Sequence, residues 1–224
     1  MIDYATKRRH MVESQLRPNG ITDARINGAM WDIPRELFVP PSRQALAYID
    51  EDLALSVPSQ GRNVRYLMEP MVFARLVQLA DIGEEDLVLD VGCGLGYSAA
   101  VLSRLARSVV ALEDDEEMAR SANTNLTTNG ILNVAVVSGP LAQGYAREAP
   151  FDVIFVNGQV EEVSPSLLEQ LKDGGRLVAV IDHGPVGKAT LFSRHGSATS
   201  QRVAFDASVG RLSGFDVARP SFVF

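Results

Sequence analysis

Apolar and polar residues follow two different rhythms along this chain. Up to about residue 80 the spacing is helical. Residues 3–17 form one helix with Tyr4, Met11 and Leu16 among its apolar positions, and Pro18-Asn19-Gly20 stops it. Thr22 or Asp23 caps a second helix through about Trp31. DIPRELFVPP is extended and punctuated by proline, residues 42–49 give a further helical turn, and MVFARLVQLA follows Pro70 as another helix. Beyond residue 85 short β-branched runs alternate with helical ones. Strands are expected at 86–91, 108–113, NVAVVS, FDVIFVN and RLVAVI. Helices are expected at about 97–106, at 115–128 closed by Asn129-Gly130, and after Ser164-Pro165, the last ended by Asp173-Gly174-Gly175. Such alternation predicts an α/β fold with a doubly wound, mostly parallel sheet. KATLFSR and QRVAFDA flank HGSATS as a hairpin. FDVARPSFVF reads as an edge or interrupted strand, because Pro220 cannot donate to a ladder. Linkers are short, so one domain is expected over 1–224: a helical extension at 1–80 and an α/β core at 81–224.

The centre of the pattern is Val88–Tyr97, VLDVGCGLGY. A strand ends in Asp90, Gly92, Gly94 and Gly96 make a tight turn, and a helix begins at once. Glycines let backbone N–H groups come close to a ligand. A dinucleotide turn has G-x-G-x-x-G, but here the spacing is G-x-G-x-G with Tyr97 in sixth place. The next strand ends in Glu113, where a carboxylate can accept from both hydroxyls of a ribose. The plainer reading is a glycine turn that only packs helix on strand.

With Asp90 two places before the first glycine, this stretch resembles the first motif of S-adenosylmethionine (AdoMet)-dependent methyltransferases. The resemblance implies a Rossmann-like methyltransferase fold with AdoMet as cofactor. It places Asp90, Gly92, Cys93, Gly94, Gly96, Glu113, Asp114, Gly139, Pro140 and Asn157 around the donor. A second resemblance is more specific. The run MVESQLRPNGITDARINGAMWDIPRELFVP is similar to the opening of the protein-L-isoaspartate O-methyltransferases, with Ile33–Pro40 matching their V-P-R-E-x-F-V-P. That family implies carboxyl methylation of isoaspartyl residues, as in protein repair.

The chain departs from the family in two places. Where the family has A-L-P-I-G-x-G-Q-T-I-S-x-P, this chain reads ALSVPSQGRNVRYLMEP, about two residues longer. Counting back from Pro70, the family's catalytic serine falls on Met68, whose thioether is a poor partner for a carboxylate. After the third strand the family's G-D-G, whose aspartate lies near the adenine amino group, reads Gly139-Pro140-Leu141. Acceptor capture then falls to Arg62 and Arg65, whose guanidinium forks match a carboxylate, or to Ser59, Asn63 and Tyr66. The plainer reading makes these exposed loop residues, and makes Asp182-His183 a solvated turn.

Composition narrows the partners. A formal charge of −7 argues against a generic nucleic-acid surface, and Lys7-Arg8-Arg9-His10 reads as a solvated helix face. The single cysteine, Cys93, excludes an internal disulfide and points to a reducing compartment. No apolar run is long enough to span a membrane and no signal h-region opens the chain, so a soluble cytoplasmic protein is expected. His10, His183 and His195 are too scattered for a metal site. An isoaspartyl carboxylate has an ordinary pKa near ~4 and needs no general base at neutral pH. Three readings follow: an isoaspartyl methyltransferase; a methyltransferase with a changed acceptor; and a non-catalytic AdoMet-binding protein. A nucleotide-dependent oxidoreductase is opposed by Tyr97.

Overall fold

A computed structural model of the chain describes residues 2–56 and 64–216. The helices are α1 (Tyr4–His10), α2 (Ala24–Asp32), α3 (Pro70–Ala80), α4 (Tyr97–Leu102), α5 (Glu116–Thr128) and α6 (Pro165–Glu169). The strands are β1 (Leu53–Ala54), β2 (Tyr66–Leu67), β3 (Leu87–Val91), β4 (Ser108–Glu113), β5 (Val134–Ser138), β6 (Phe151–Val160), β7 (Leu171–Ile181), β8 (Gly187–His195) and β9 (Ala198–Ala207). β1 and β2 pair as a small antiparallel ladder. The other seven form one sheet in the order β5-β4-β3-β6-β7-β8-β9. Pairing is parallel from β5 through β7 and antiparallel from β7 through β9. The order reverses between β3 and β6, which opens a crevice beyond their carboxyl ends.

Alternation along β3 sends Val88 to one face and Leu89 and Val91 to the other. The first face is covered deeply, by α3, α4, α5 and the amino-terminal helices. The second is covered by less: Leu141, α6 through Leu167, and Leu212 and Phe215 from the segment after β9. Side-chain caps fix the helix starts as the polar pattern requires. Asp23 accepts from Arg25 N, Asp115 from Glu117 N and Met118 N, and Ser164 from Leu167 N.

Several boundaries differ from expectation. The first helix stops at His10 and continues as a wider π turn, Met11–Leu16, and a 3-10 turn, Arg17–Asn19. The wider turn brings Met11 and Leu16, five apart, into the core together. The expected extended segment contains a 3-10 turn at Arg35–Phe38, and the helical turn expected at 42–49 is a 3-10 segment at Pro41–Leu46. Helix α4 ends at Leu102, four residues short of the expected end. Strand β7 starts at Leu171, before the Asp173-Gly174-Gly175 turn, because Leu171 already pairs with Phe151. The turn is a bulge inside the strand, with Gly174 at φ +78°. The β8–β9 connection is only Gly196-Ser197, since His195 pairs with Ala198. Phe215 and Asp216 lie outside any strand, and the rest of the expected last strand, with Pro220, lies outside the described residues. Among the described residues no helix is long and apolar enough to cross a membrane.

Candidate active site

The glycine turn stands at the topological switch. Gly92, Gly94 and Gly96 all have positive φ, +83°, +57° and +96°, which a side chain would strain. Its amides are used within the fold. Gly92 N and Cys93 N both donate to Leu112 O, at 2.8 and 3.2 Å, and Gly96 N donates to Cys93 O. Gly94 N donates to Glu113 Oε2 at 2.7 Å. This turn is therefore no phosphate cradle, in contrast to a dinucleotide loop that presents free N–H groups.

Two buried carboxylates flank it. Asp90 Oδ2 accepts from Ser98 Oγ at 2.6 Å, while Asp90 Oδ1 is buried with no hydrogen-bond partner among the described residues. Burial pushes the Asp90 carboxyl up to about 7, with the Ser98 bond pulling the other way. Asn157 Nδ2 donates to Ser98 Oγ at 3.0 Å and to Gly92 O at 3.2 Å, tying the end of β6 to the turn. Glu113 is fully buried. Its Oε1 accepts from Asp114 N and Asp115 N, at 3.2 and 3.4 Å. Burial raises its carboxyl to about 7, opposed by the neighbouring Arg65 guanidinium.

Arg65 is the main surprise. Instead of lying exposed in a loop it is 6% accessible, and its Nη2 donates to Glu113 Oε2 at 2.8 Å. It enters from β2's leading edge. Leu55 N donates to Arg65 O at 2.7 Å and Arg65 N to Ser56 Oγ at 3.0 Å. A Cβ at Gly92 would sit 2.9 Å from Arg65 Nη2 and 3.0 Å from Leu212 Cδ2, and one at Gly94 would sit 2.9 Å from Leu55 Cδ1. Three side chains thus lie directly on the turn. Gly158, at the end of β6, is likewise covered by Leu212 and Gly210 O.

The remaining candidates are spread more widely. Asp114 and Pro140 are exposed, and with Ser138, Gly139, Leu141 and Gln143 they line an open cleft of about 520 Å³ beside Glu113. Cys93 is buried, and burial raises its thiol well above the usual range, so it stays protonated. Met68 is buried in the main core cluster. Tyr66 is half exposed, its ring against Gly210. Asp182 accepts from Gly184 N and Arg211, a local turn contact. Ser59, Arg62 and Asn63 lie outside the described residues. Ser98, Leu55 and Leu212 were not singled out from sequence. Ser98 carries a weak signal, a hydroxyl in the first turn after the glycines, whereas the other two are ordinary leucines far away in the chain.

The two sequence signatures meet in space. Phe38, from the proline-punctuated motif, packs edge-on to Tyr97 of the glycine turn at 5.9 Å. Phe73 lies 5.8 Å from Tyr97 and 5.7 Å from Phe155 of β6. Tyr97 therefore occupies the sixth place of the motif as a packing residue between the extension and the sheet.

The site thus brings together a fully paired buried carboxylate at the tip of β4, a buried carboxylate in β3 with one oxygen unpaired among the described residues, and, after β4, an open cleft lined by Asp114, Gly139 and Pro140. Comparison with known proteins identifies the family. The family described as protein-L-isoaspartate(D-aspartate) O-methyltransferase matches residues 6–207. A protein-L-isoaspartate O-methyltransferase of Herpetosiphon aurantiacus is 38% identical over 186 residues, covering 83% of this chain and 78% of that protein. A solved protein-L-isoaspartate O-methyltransferase superposes with a TM-score of 0.80 at 28% identity, over 92% of this chain and 66% of the other. A Plasmodium falciparum structure with a name of the same family, in complex with S-adenosyl-L-homocysteine (AdoHcy), shares the fold at 18% identity, with a TM-score of 0.74 over 95% of this chain and 99% of that one. A family match over residues 6–207, with Phe38 of one signature packed on Tyr97 of the other, leaves one assignment: the chain belongs to the protein-L-isoaspartate(D-aspartate) O-methyltransferase family.

Proposed function

We propose that the protein transfers a methyl group from AdoMet to the carboxylate of an isoaspartyl residue in a damaged peptide or protein. The observation that carries this reading is family membership over residues 6–207. AdoMet supplies an activated methyl on a sulfonium. The chain supplies position and charge. Glu113 is assigned to the ribose hydroxyls, Asp90 and the Gly92–Gly96 turn to the amino-acid end, and Asp114, Gly139 and Pro140 to the adenine side. No proton need be removed from an acceptor whose ordinary pKa is near ~4, so much of the rate comes from alignment and exclusion of water. Buried Cys93 as the sole cysteine fits a reducing cytoplasm.

A second reading, a changed acceptor, is favoured by one observation. Met68, at the aligned serine position, is packed in the core and offers no hydroxyl. Labelled methyl transfer to an isoaspartyl peptide, with the matching aspartyl peptide as control, separates the two. Transfer to the isoaspartyl peptide alone is expected. Donor binding without transfer to either peptide would favour the second reading.

A further inference from the structure

Asn157 follows Val156, the last residue of β6 to pair with β3, opposite Val91. The strand is irregular there. Phe155 pairs with Val178 and Gln159 with Val180, so β6 advances four residues while β7 advances two. Such a bulge re-aims side chains. Here it sits at the carboxyl end of the β3–β6 crevice, where ligands of open α/β sheets bind. The amide of Asn157 can face only one way. Gly92 O is a carbonyl and only accepts, so the group 3.2 Å from it is Nδ2. The other N–H of Nδ2 goes to Ser98 Oγ at 3.0 Å, and Ser98 in turn donates to Asp90 Oδ2. Both amide hydrogens are thus used within the fold. Oδ1 is left over. It accepts no hydrogen bond among the described residues, and Asn157 is half-buried, not sealed in the core. The result is a fixed acceptor beside the glycine turn, with no donor of its own to offer.

An acceptor so placed suits an N–H and repels a carboxylate. In an isoaspartyl residue the free carboxylate and the backbone N–H sit on the same carbon. In an aspartyl residue the side-chain carboxylate is one carbon further from its N–H. A group that holds the N–H therefore also fixes where the carboxylate lies. We propose that Asn157 is a specificity-determining residue, whose Oδ1 accepts the backbone N–H of the isoaspartyl residue and so sets its carboxylate beside the donor methyl. The inference rests on the isoaspartyl reading made above. Asn157 moves no proton. A purely structural Asn157, tying β6 to the glycine turn, would affect all peptides alike.

The test pairs an isoaspartyl peptide with its depsipeptide analogue, in which an ester oxygen replaces that N–H and the carboxylate is kept. Calorimetry on AdoHcy-saturated protein gives Kd for each, and turnover with AdoMet gives kcat/KM. Wild type is expected to favour the N–H peptide at least about tenfold in both measures. In Asn157→Ala the two peptides should come within about twofold of each other, whatever the variant's absolute rate. Asn157→Val, which suits a strand, serves in the same comparison should the alanine variant not fold. Equal handling of both peptides by wild type, or a variant that keeps the preference, overturns the proposal, while methylation of the isoaspartyl peptide leaves the proposed function standing. An isoaspartyl peptide that wild type neither binds nor methylates overturns both.

Discussion

The guanidinium carbon of Arg35 lies 4.7 Å from the ring centroid of Tyr97, and the whole side chain is buried. Its Nε donates to Ala47 O at 2.7 Å and its Nη2 to Met68 O. One residue of the proline-punctuated motif therefore holds three things in register: the 3-10 segment, the approach to α3, and the glycine-turn tyrosine. Burial lowers the Arg35 pKa, and the Tyr97 ring opposes that shift. Arg35→Ala would leave two carbonyls unpaired and remove a cation–π contact, a loss of about 3–5 kcal/mol. Urea unfolding measures it. A loss under about 1 kcal/mol would show that the strut is dispensable.

Asp90 makes stability depend on pH in a defined direction. Its folded carboxyl is raised to about 7 from an ordinary value near 4, so the folded state holds the proton more tightly than the unfolded chain. The stabilisation is complete below about pH 4 and is lost as pH rises through about 7, on the order of a few kcal/mol. Asp90→Asn should flatten this slope. The check is the difference in urea midpoint between wild type and variant at pH 5 and at pH 8. An identical pH slope in both proteins would show that Asp90 is not the titrating group.

Glu113→Ala should damage both folding and donor binding. It strands the buried Arg65 guanidinium, a loss of roughly 3–5 kcal/mol, and it removes the carboxylate assigned to the ribose. AdoHcy affinity is expected to fall at least about tenfold in calorimetry. Unchanged affinity in a folded variant would move the ribose elsewhere.

Pro140 lines the open cleft, at the position where the family resemblance implies an acidic residue. Pro140→Asp adds an acceptor for the adenine amino group. A hydrogen bond to a charged group is worth roughly 1.5–3 kcal/mol, so AdoHcy should bind one to two decades more tightly. A weaker or equal dissociation constant counts against adenine lying there.

Much of the sheet was legible in the sequence because each strand is a β-branched run bounded by a turn residue. The G-x-G-x-G spacing and Glu113 at the next strand's tip also placed the candidate donor site at β3 and β4. What escaped was set by distance. Arg65 and Glu113 are 48 residues apart, and no periodicity links a two-residue strand to the tip of β4. The π turn at Met11–Leu16 escaped for another reason. Its apolar spacing differs by one residue from that of an ordinary helix, and only burial of both Met11 and Leu16 selects it. The bulge in β7 was read as a helix end because Asp173-Gly174-Gly175 suits either role.

Leu212 belongs to a stretch that returns over the sheet after β9. Gln159 N donates to Gly210 O and Leu212 N to Gln159 O, both at 2.9 Å, and Asp52 Oδ2 accepts from Gly210 N at 2.7 Å. The family match ends at residue 207, just before this stretch begins. The glycine turn of the candidate site lies within the matched residues, while Leu212, which packs against Gly92 and Gly158, lies beyond them. A change confined to residues 208–216 therefore alters what covers the glycine turn while β3, β4 and β6 stay as they are.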